Sequence, residues 1–274
     1  MNRRAELKDR VRGHWQAQPC GTRELPAADR RAFFKQLALE RYQVEPYLWD
    51  FAQFERGKDL RLLEVGVGAG TDFINWVRHG ANATGIDLTE QGVALTRERL
   101  ALEGLSAQVQ VGDAEDLPFP DASFDLVYSY GVLHHSPDTP KAIHEVLRVL
   151  VPGGRALIMI YHLPSWTGWM LWALHALGKL RPWRSPRWAI YHHLESPGTK
   201  AYTKAEARKL FQAFTTVQIR TQLGNGDLLK MRPATKYASL PHRVLWHLYP
   251  RWLVRRMGNR FGLLLFIEAT KGLA

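Results

Sequence analysis

The sequence predicts a doubly wound α/β fold, with a mostly parallel sheet and helices on both of its faces. Three observations predict it. Between residues 61 and 162, short apolar runs of strand length alternate with segments of helical period. The first run leads into LLEVGVGAGTD (62–72), a glycine-dense turn that opens a helix. The chain has 274 residues, 46% of them hydrophobic, enough for one domain with sizeable additions and a full core.

Residues 1–58 read as helical, with apolar positions at Phe33, Phe34, Leu37, Leu39, Tyr42, Val44, Tyr47, Leu48 and Phe51. Strands are expected at 61–67, 83–87, 107–112, 124–130 and 156–162, and helices at 71–79, 90–103 and 140–150. Such a β-α-β series implies parallel strands. A Trp-rich helical stretch follows at 165–180. Thr203 to Glu206 has the form of a capping box and opens a helix to about Phe214. Strands at 216–223 and 263–271 complete seven. In the insertion between them, Arg243, His247, Arg251 and Arg255 recur every four residues beside Val244, Leu248 and Trp252. This basic amphipathic stripe is bent or restarted at Pro250, and reads as a helix packed on the sheet or one lying on a membrane surface.

Charge divides the chain. Residues 1–155 hold 19 Lys/Arg and 22 Asp/Glu, whereas residues 156–274 hold 18 Lys/Arg, 4 Asp/Glu and seven of the ten Trp. A basic, Trp-rich half suits an anionic partner: a membrane surface, a nucleic acid or an acidic small molecule. A solvated basic face with Trp in the core is the alternative. The single cysteine, Cys20, excludes internal disulfides and a thiolate-rich metal site, and no metal site is expected. No stretch has the pattern of a signal peptide. The longest run free of Asp, Glu, Lys and Arg, 156–178, is interrupted by His162, Pro164 and His175, so it reads as strand, turn and helix. A cytoplasmic location is the default expectation.

A strand ending in a glycine turn and feeding a helix presents free backbone N–H groups to a ligand. Dinucleotide enzymes space the glycines G-x-G-x-x-G. Here they fall at 66, 68 and 70, Thr71 occupies the position of the third, and Glu64 stands two residues before the first. The spacing argues against a nicotinamide-dependent oxidoreductase.

This pattern resembles the first motif of class I S-adenosylmethionine (SAM) methyltransferases, acidic-x-G-x-G-x-G. Four further elements follow in the family's order: ATGIDL (83–88), VGDAEDLPF (111–119), FDLVYSYGVLHH (124–135) and LRVLVPGG (147–154). The resemblance covers 61–162. It implies a Rossmann-like domain over 59–274 whose last strand is antiparallel. Insertions are expected at about 163–202 and 224–260, and a helical lid over 1–58. It implies SAM as cofactor, held by Glu64, Gly66, Gly68, Gly70, Asp87, Leu88, Asp113, Ala114 and Tyr130. Asp87 would take the ribose hydroxyls and Asp113 the adenine amino group. The fourth motif is most similar to a small-molecule branch that includes quinone-biosynthesis methyltransferases.

Methyl transfer from a sulfonium is an in-line displacement, largely a matter of alignment. A hydroxyl or protonated nitrogen also needs a base. The candidates are His135, beyond the fourth strand with His134, then His192, His193 and Tyr202. Trp15, Tyr42 and Tyr47 of the lid are candidates for lining an apolar substrate pocket. The expected function is methyl transfer to a small, lipophilic or biosynthetic metabolite, with the basic half at an anionic membrane surface or capping the site. The alternatives are an RNA methyltransferase using the basic half, a nicotinamide oxidoreductase, and a non-catalytic binding protein on the same fold.

Overall fold

The computed structural model describes residues 3–20, 22, 29–230 and 249–273. Three helices precede the sheet: α1 (Arg3–Ala17), α2 (Arg30–Val44) and α3 (Leu48–Ala52). Then come β1 (Arg61–Val65), α4 (Phe73–Arg78), β2 (Asn82–Asp87), α5 (Glu90–Glu103), β3 (Gln108–Val111), β4 (Phe124–Tyr130), α6 (Thr139–Val149) and β5 (Leu150–Tyr161). The remainder is α7 (Trp166–His175), α8 (Pro186–His193), α9 (Lys204–Leu210), β6 (Thr216–Gln222), α10 (Asn225–Leu228), α11 (Arg251–Arg256) and β7 (Leu264–Thr270).

The seven strands form one sheet in the order β3-β2-β1-β4-β5-β7-β6. Strands β1 to β5 are parallel, and β7 runs antiparallel to both β5 and β6. The central strands are buried on both faces, so their side chains alternate between two cores. Leu62, Leu126, Tyr128, Leu157 and Met159 join Phe51, Trp76 and Phe266 on one face. Leu63, Val65, Val127, Ile158 and Ile160 join Val146 and Phe211 on the other. That is why these strands read as near-continuous apolar runs.

Local signals set the helix ends. Thr89 caps α5 by accepting from Gly92 N–H, and Gly104 ends it in the left-handed region. Asp138 caps α6 ahead of Pro140, and Thr203 and Glu206 form the reciprocal capping box of α9. Several expected boundaries are corrected. Strand β1 ends at Val65, because Gly66 leaves the extended region at φ 86°. Strand β5 begins at Leu150 rather than 156, because Leu150 pairs with Phe124 across a bulge. The segment 165–180 divides into α7 and a 3-10 turn at Leu177–Lys179. Helix α8 was not anticipated from sequence. Of the basic stripe, Arg251, Trp252 and Arg255 lie on α11, whereas Arg243, Val244, His247 and Leu248 fall outside the described residues. Among the described residues, no helix is long and apolar enough to cross a membrane.

The strand order reverses at β1, whose neighbours are β2 and β4. In doubly wound sheets ligands bind beyond the carboxyl ends of the strands at this point.

Candidate active site

The turn after β1 stands at that switch point. Gly66, Gly68 and Gly70 all have positive φ. At Gly66 a Cβ would lie 2.2 Å from Val132 Cγ2, so no side chain fits. At Gly68 a Cβ would meet nothing within 4 Å, so the turn faces open space there. Gly68 N–H donates to Asp87 Oδ2 at 2.9 Å. Asp87 Oδ1 accepts from Thr89 N–H at 2.9 Å and from the Thr89 hydroxyl at 2.6 Å. The carboxylate at the end of β2 is thereby fixed over the glycine turn, with half-buried Leu88 beside it.

Glu64 pairs in register with Gly85 on one side and Tyr128 on the other. It is buried, and its Oε2 has no hydrogen-bond partner. Burial, with Asp72 and Asp87 adding to it, holds the Glu64 carboxyl well above the usual range against the pull of Arg41.

Asp72 has no role in the sequence reading, yet it joins α2 to the helix that the glycine turn opens. It accepts from Arg41 Nε at 3.0 Å and Nη2 at 2.6 Å, from the Tyr42 hydroxyl at 2.9 Å and from the Tyr128 hydroxyl at 2.9 Å. Arg41 also lies over the Tyr130 ring, 4.9 Å from its centroid. Tyr42, expected to line a substrate pocket, fastens α2 to this carboxylate. Tyr47 sits 3.3 Å from Glu45 Oε1 and packs on Phe266. The Tyr130 phenol is buried, and burial together with the Glu45 charge raises its pKa.

Asp113 and half-buried Ala114 follow β3. Asp113 Oδ1 accepts from Glu115 N–H at 2.9 Å, and Lys8 of α1 donates at 2.6 Å to both Asp113 Oδ2 and Glu115 Oε2. Glu115 Oε1 accepts from the Ser136 hydroxyl and, at 2.8 Å, from Asp138 N–H. Helix α1 is therefore tied across the carboxyl ends of β3 and β4.

His134 and His135 follow β4 and are both buried, with ring centroids 4.2 Å apart. His135 Nδ1 lies 2.8 Å from Ser196 Oγ and 3.2 Å from Thr199 Oγ1. The Thr199 hydroxyl donates to Ser196 O at 2.7 Å, while Ser196 Oγ, the nearer partner of Nδ1, can donate to it or accept from it, so either ring nitrogen can carry the proton. His135 Nε2 faces Glu195 Oε2 at 3.4 Å, and Tyr161 donates to the same oxygen at 2.8 Å. Burial disfavours the ionised Glu195, but His135 and Tyr161 outweigh it and hold the carboxyl below its usual range. Trp15 closes over His135 edge-on, with centroids 5.3 Å apart.

The other proposed bases stand elsewhere. His192 is exposed and its Nδ1 meets Trp188 O at 2.9 Å. His193 stacks on His175 at 3.8 Å rather than on His135. Tyr202 packs into the core on the face opposite Tyr161. Sequence reasoning assigned no role to Arg41, Asp72, Tyr128, Glu195, Ser196 or Thr199. Asp72 had a usable signal, an acid two residues beyond the glycine turn. Glu195 stands sixty residues along the chain from His135, so no local spacing joins the two.

Residues 63–158 match the family model described as "Methyltransferase domain". The chain is 43% identical over 96 residues to a phthiotriol/phenolphthiotriol dimycocerosates methyltransferase of Mycobacterium leprae, a match spanning 34% of this chain and 35% of that one. It is 38% identical over 135 residues to a fatty-acid O-methyltransferase of Mycolicibacterium smegmatis, spanning 47% and 48%. The matches thus cover about a third to a half of these relatives' length. In fold, the chain is similar to Haemonchus contortus phosphoethanolamine N-methyltransferase 2 in complex with SAM, with a TM-score of 0.58, 20% identity, and 84% of this chain and 52% of that one covered. The glycine turn, the acids near the ends of β1 and β2 and the sheet order agree with these likenesses: residues 63–158 match a methyltransferase domain.

Proposed function

We propose that this protein transfers a methyl group from SAM to a proton-bearing oxygen or nitrogen of a small, lipophilic metabolite. One observation carries the reading. The glycine turn with its fixed Asp87 and the buried His135 lie at the same end of the sheet, beyond β1, β2 and β4. Relatives named for dimycocerosate and fatty-acid substrates support a lipophilic acceptor.

The residues present fit SAM. Gly68 leaves open space at the turn, Asp87 offers a carboxylate for a cis-diol, and the unpartnered Oε2 of Glu64 suits the ammonium of an amino acid. Asp113 and Ala114 would flank the adenine, with Leu88 and Tyr130 completing the walls. SAM supplies a methyl group activated on a sulfonium. His135 takes the acceptor's proton at Nε2, and Glu195 stabilises the resulting imidazolium. Ser196 and Thr199 hold the ring at Nδ1. Trp15 excludes water above it, so residues 1–58 act as a lid. His192, His193 and Tyr202 fall outside this arrangement.

The basic half supports docking to an anionic membrane surface that delivers the acceptor. Around the turn between α7 and α8, Leu180 is 83% and Trp183 74% exposed, flanked by exposed Lys179, Arg181 and Arg184. Exposed Trp and Leu beside cations suit a lipid headgroup layer.

Methyl-labelled SAM, incubated with the purified protein and a host lysate, tests the reading. Label is expected in the organic extract. Label in RNA would overturn the substrate class, and absence of label from every fraction despite SAM binding would overturn the activity. Anionic vesicles should bind the protein with a salt-sensitive affinity; no binding at low salt removes the membrane part.

A further inference from the structure

We propose that His134, His135 and Glu195 form a site for one divalent cation of the zinc class. One ligand atom from each lies within 4.8 Å of the others. The pair His135 Nε2 and Glu195 Oε2 is already at 3.4 Å. Two ligands on a tetrahedral centre with bonds of about 2.1 Å stand about 3.4 Å apart.

His135 Nδ1 is turned to the Ser196 and Thr199 hydroxyls, which leaves Nε2 as the ring nitrogen facing Glu195. Metal-bound histidines ordinarily pass their other N–H to an oxygen, and Ser196 Oγ stands 2.8 Å from Nδ1.

His134 supplies an independent observation. It is 0% exposed, and neither ring nitrogen has a hydrogen-bond partner. An imidazole buried without partners is costly, and a bond to a metal removes that deficit. Two imidazoles and one carboxylate suit Zn²⁺ or Fe²⁺ rather than Mg²⁺ or Ca²⁺, and three protein ligands leave a position open. The inference rests on the proposed methyl transfer only for its purpose and revises it at one point: with the cation on His135 Nε2, the cation rather than that nitrogen holds the acceptor oxygen and eases its deprotonation. Cation binding itself is read without SAM or acceptor.

The untagged full chain would be titrated with Zn²⁺ against a chromophoric chelator, with Co²⁺ as a spectroscopic probe. One equivalent should bind, and Co²⁺ should give visible bands of a four-coordinate centre. Glu195→Gln, at a partly exposed position, should weaken binding about 100-fold while circular dichroism stays unchanged. His134→Asn should do the same, and the Glu195 variant decides the matter if that chain does not fold. The double variant His192→Gln/His193→Gln should retain full affinity. No saturable binding, equal affinity in Glu195→Gln, or loss of binding in the double variant each overturns the proposal. Asp87→Asn separates the two readings, since it should weaken SAM binding roughly 10–100-fold and leave Zn²⁺ affinity intact. Zinc binding without methyl transfer to any fraction would leave the cation site standing and the methyltransferase reading failed.

Discussion

The two ends of the proposed site are assembled from very different distances along the chain. At the cofactor end, Glu64, Gly66, Gly68, Asp72 and Asp87 all come from two consecutive strands and the turn and helix between them. At the histidine end, Trp15, His135, Tyr161, Glu195, Ser196 and Thr199 come from α1, two loops and a strand. The first is built from consecutive chain, with Val132, Arg41, Tyr42 and Tyr128 packed against it. The second exists only when α1 and the 163–202 segment have folded against the ends of β4 and β5. A local site is built for one ligand held in common with a whole family. A site gathered from insertions is free to vary with the acceptor.

The largest expected effect separates the two ends by function. His135→Gln removes the proposed base, and should lower methyl transfer by about 10²–10⁴-fold. SAM affinity, measured by calorimetry, should stay unchanged. If SAM affinity falls together with turnover, the ends are one unit and the contrast between them is lost.

Next in size is the reverse experiment. Asp87→Asn weakens the anchor of Gly68 N–H and Thr89 and removes the charge facing the ribose site. Hydrogen bonds to a charged group contribute about 1.5–3 kcal/mol, so SAM affinity should fall roughly 10–100-fold. Saturating SAM should restore turnover. Failure to restore it would show that Asp87 also positions the acceptor.

Legibility in the sequence follows the same division. The strand runs, the glycine spacing and the capping box at Thr203 are short-range patterns, and each reappears in the structure within a few residues. Glycines at 66, 68 and 70 are visible because positive φ leaves little choice of residue. Asp72 lay in view but unread, because its value comes from Arg41, Tyr42 and Tyr128, three groups on α2 and β4. Tyr42 lines a cavity with Phe34 and Trp49, and helical spacing alone does not report that its hydroxyl also meets Asp72. The histidine end was half legible. His135 follows from the strand end, whereas Glu195, Ser196 and Thr199 need the tertiary path of an insertion whose helix α8 carries no strong apolar period.

Asp72 offers a smaller test of how firmly the lid joins the cofactor end. Tyr128→Phe deletes one hydroxyl donor to a buried carboxylate that Arg41 and Tyr42 still serve. The loss should be about 1–2 kcal/mol of stability, read as a lowered Tm with unchanged turnover at low temperature. A larger loss of SAM affinity than of stability would show that the Asp72 network shapes the turn itself, through the helix it opens.

The smallest expected effect concerns the contact that ties α1 over both ends. Lys8 bridges Asp113 and Glu115, and its side chain is 22% exposed, so Lys8→Met should cost about 1 kcal/mol or less. Its pH dependence is more informative than its size. Burial disfavours the charged form of Glu115, but Lys8, Ser136 and the Asp138 N–H outweigh it, so its folded pKa lies below the 4.5 of the ordinary group. A depressed carboxylate stabilises the fold above its unfolded pKa and loses that contribution as pH falls through the folded value. The Tm difference between parent and Lys8→Met should therefore be constant from neutral pH to about pH 5, and shrink below about pH 4.5. A difference that persists undiminished to pH 3 would mean that α1 is held by packing of Val11 and Trp15 instead of by charge. In that case the lid belongs to the histidine end alone. Acid would then loosen the cofactor end without opening the acceptor side, and the two regions would be separable by pH as well as by mutation.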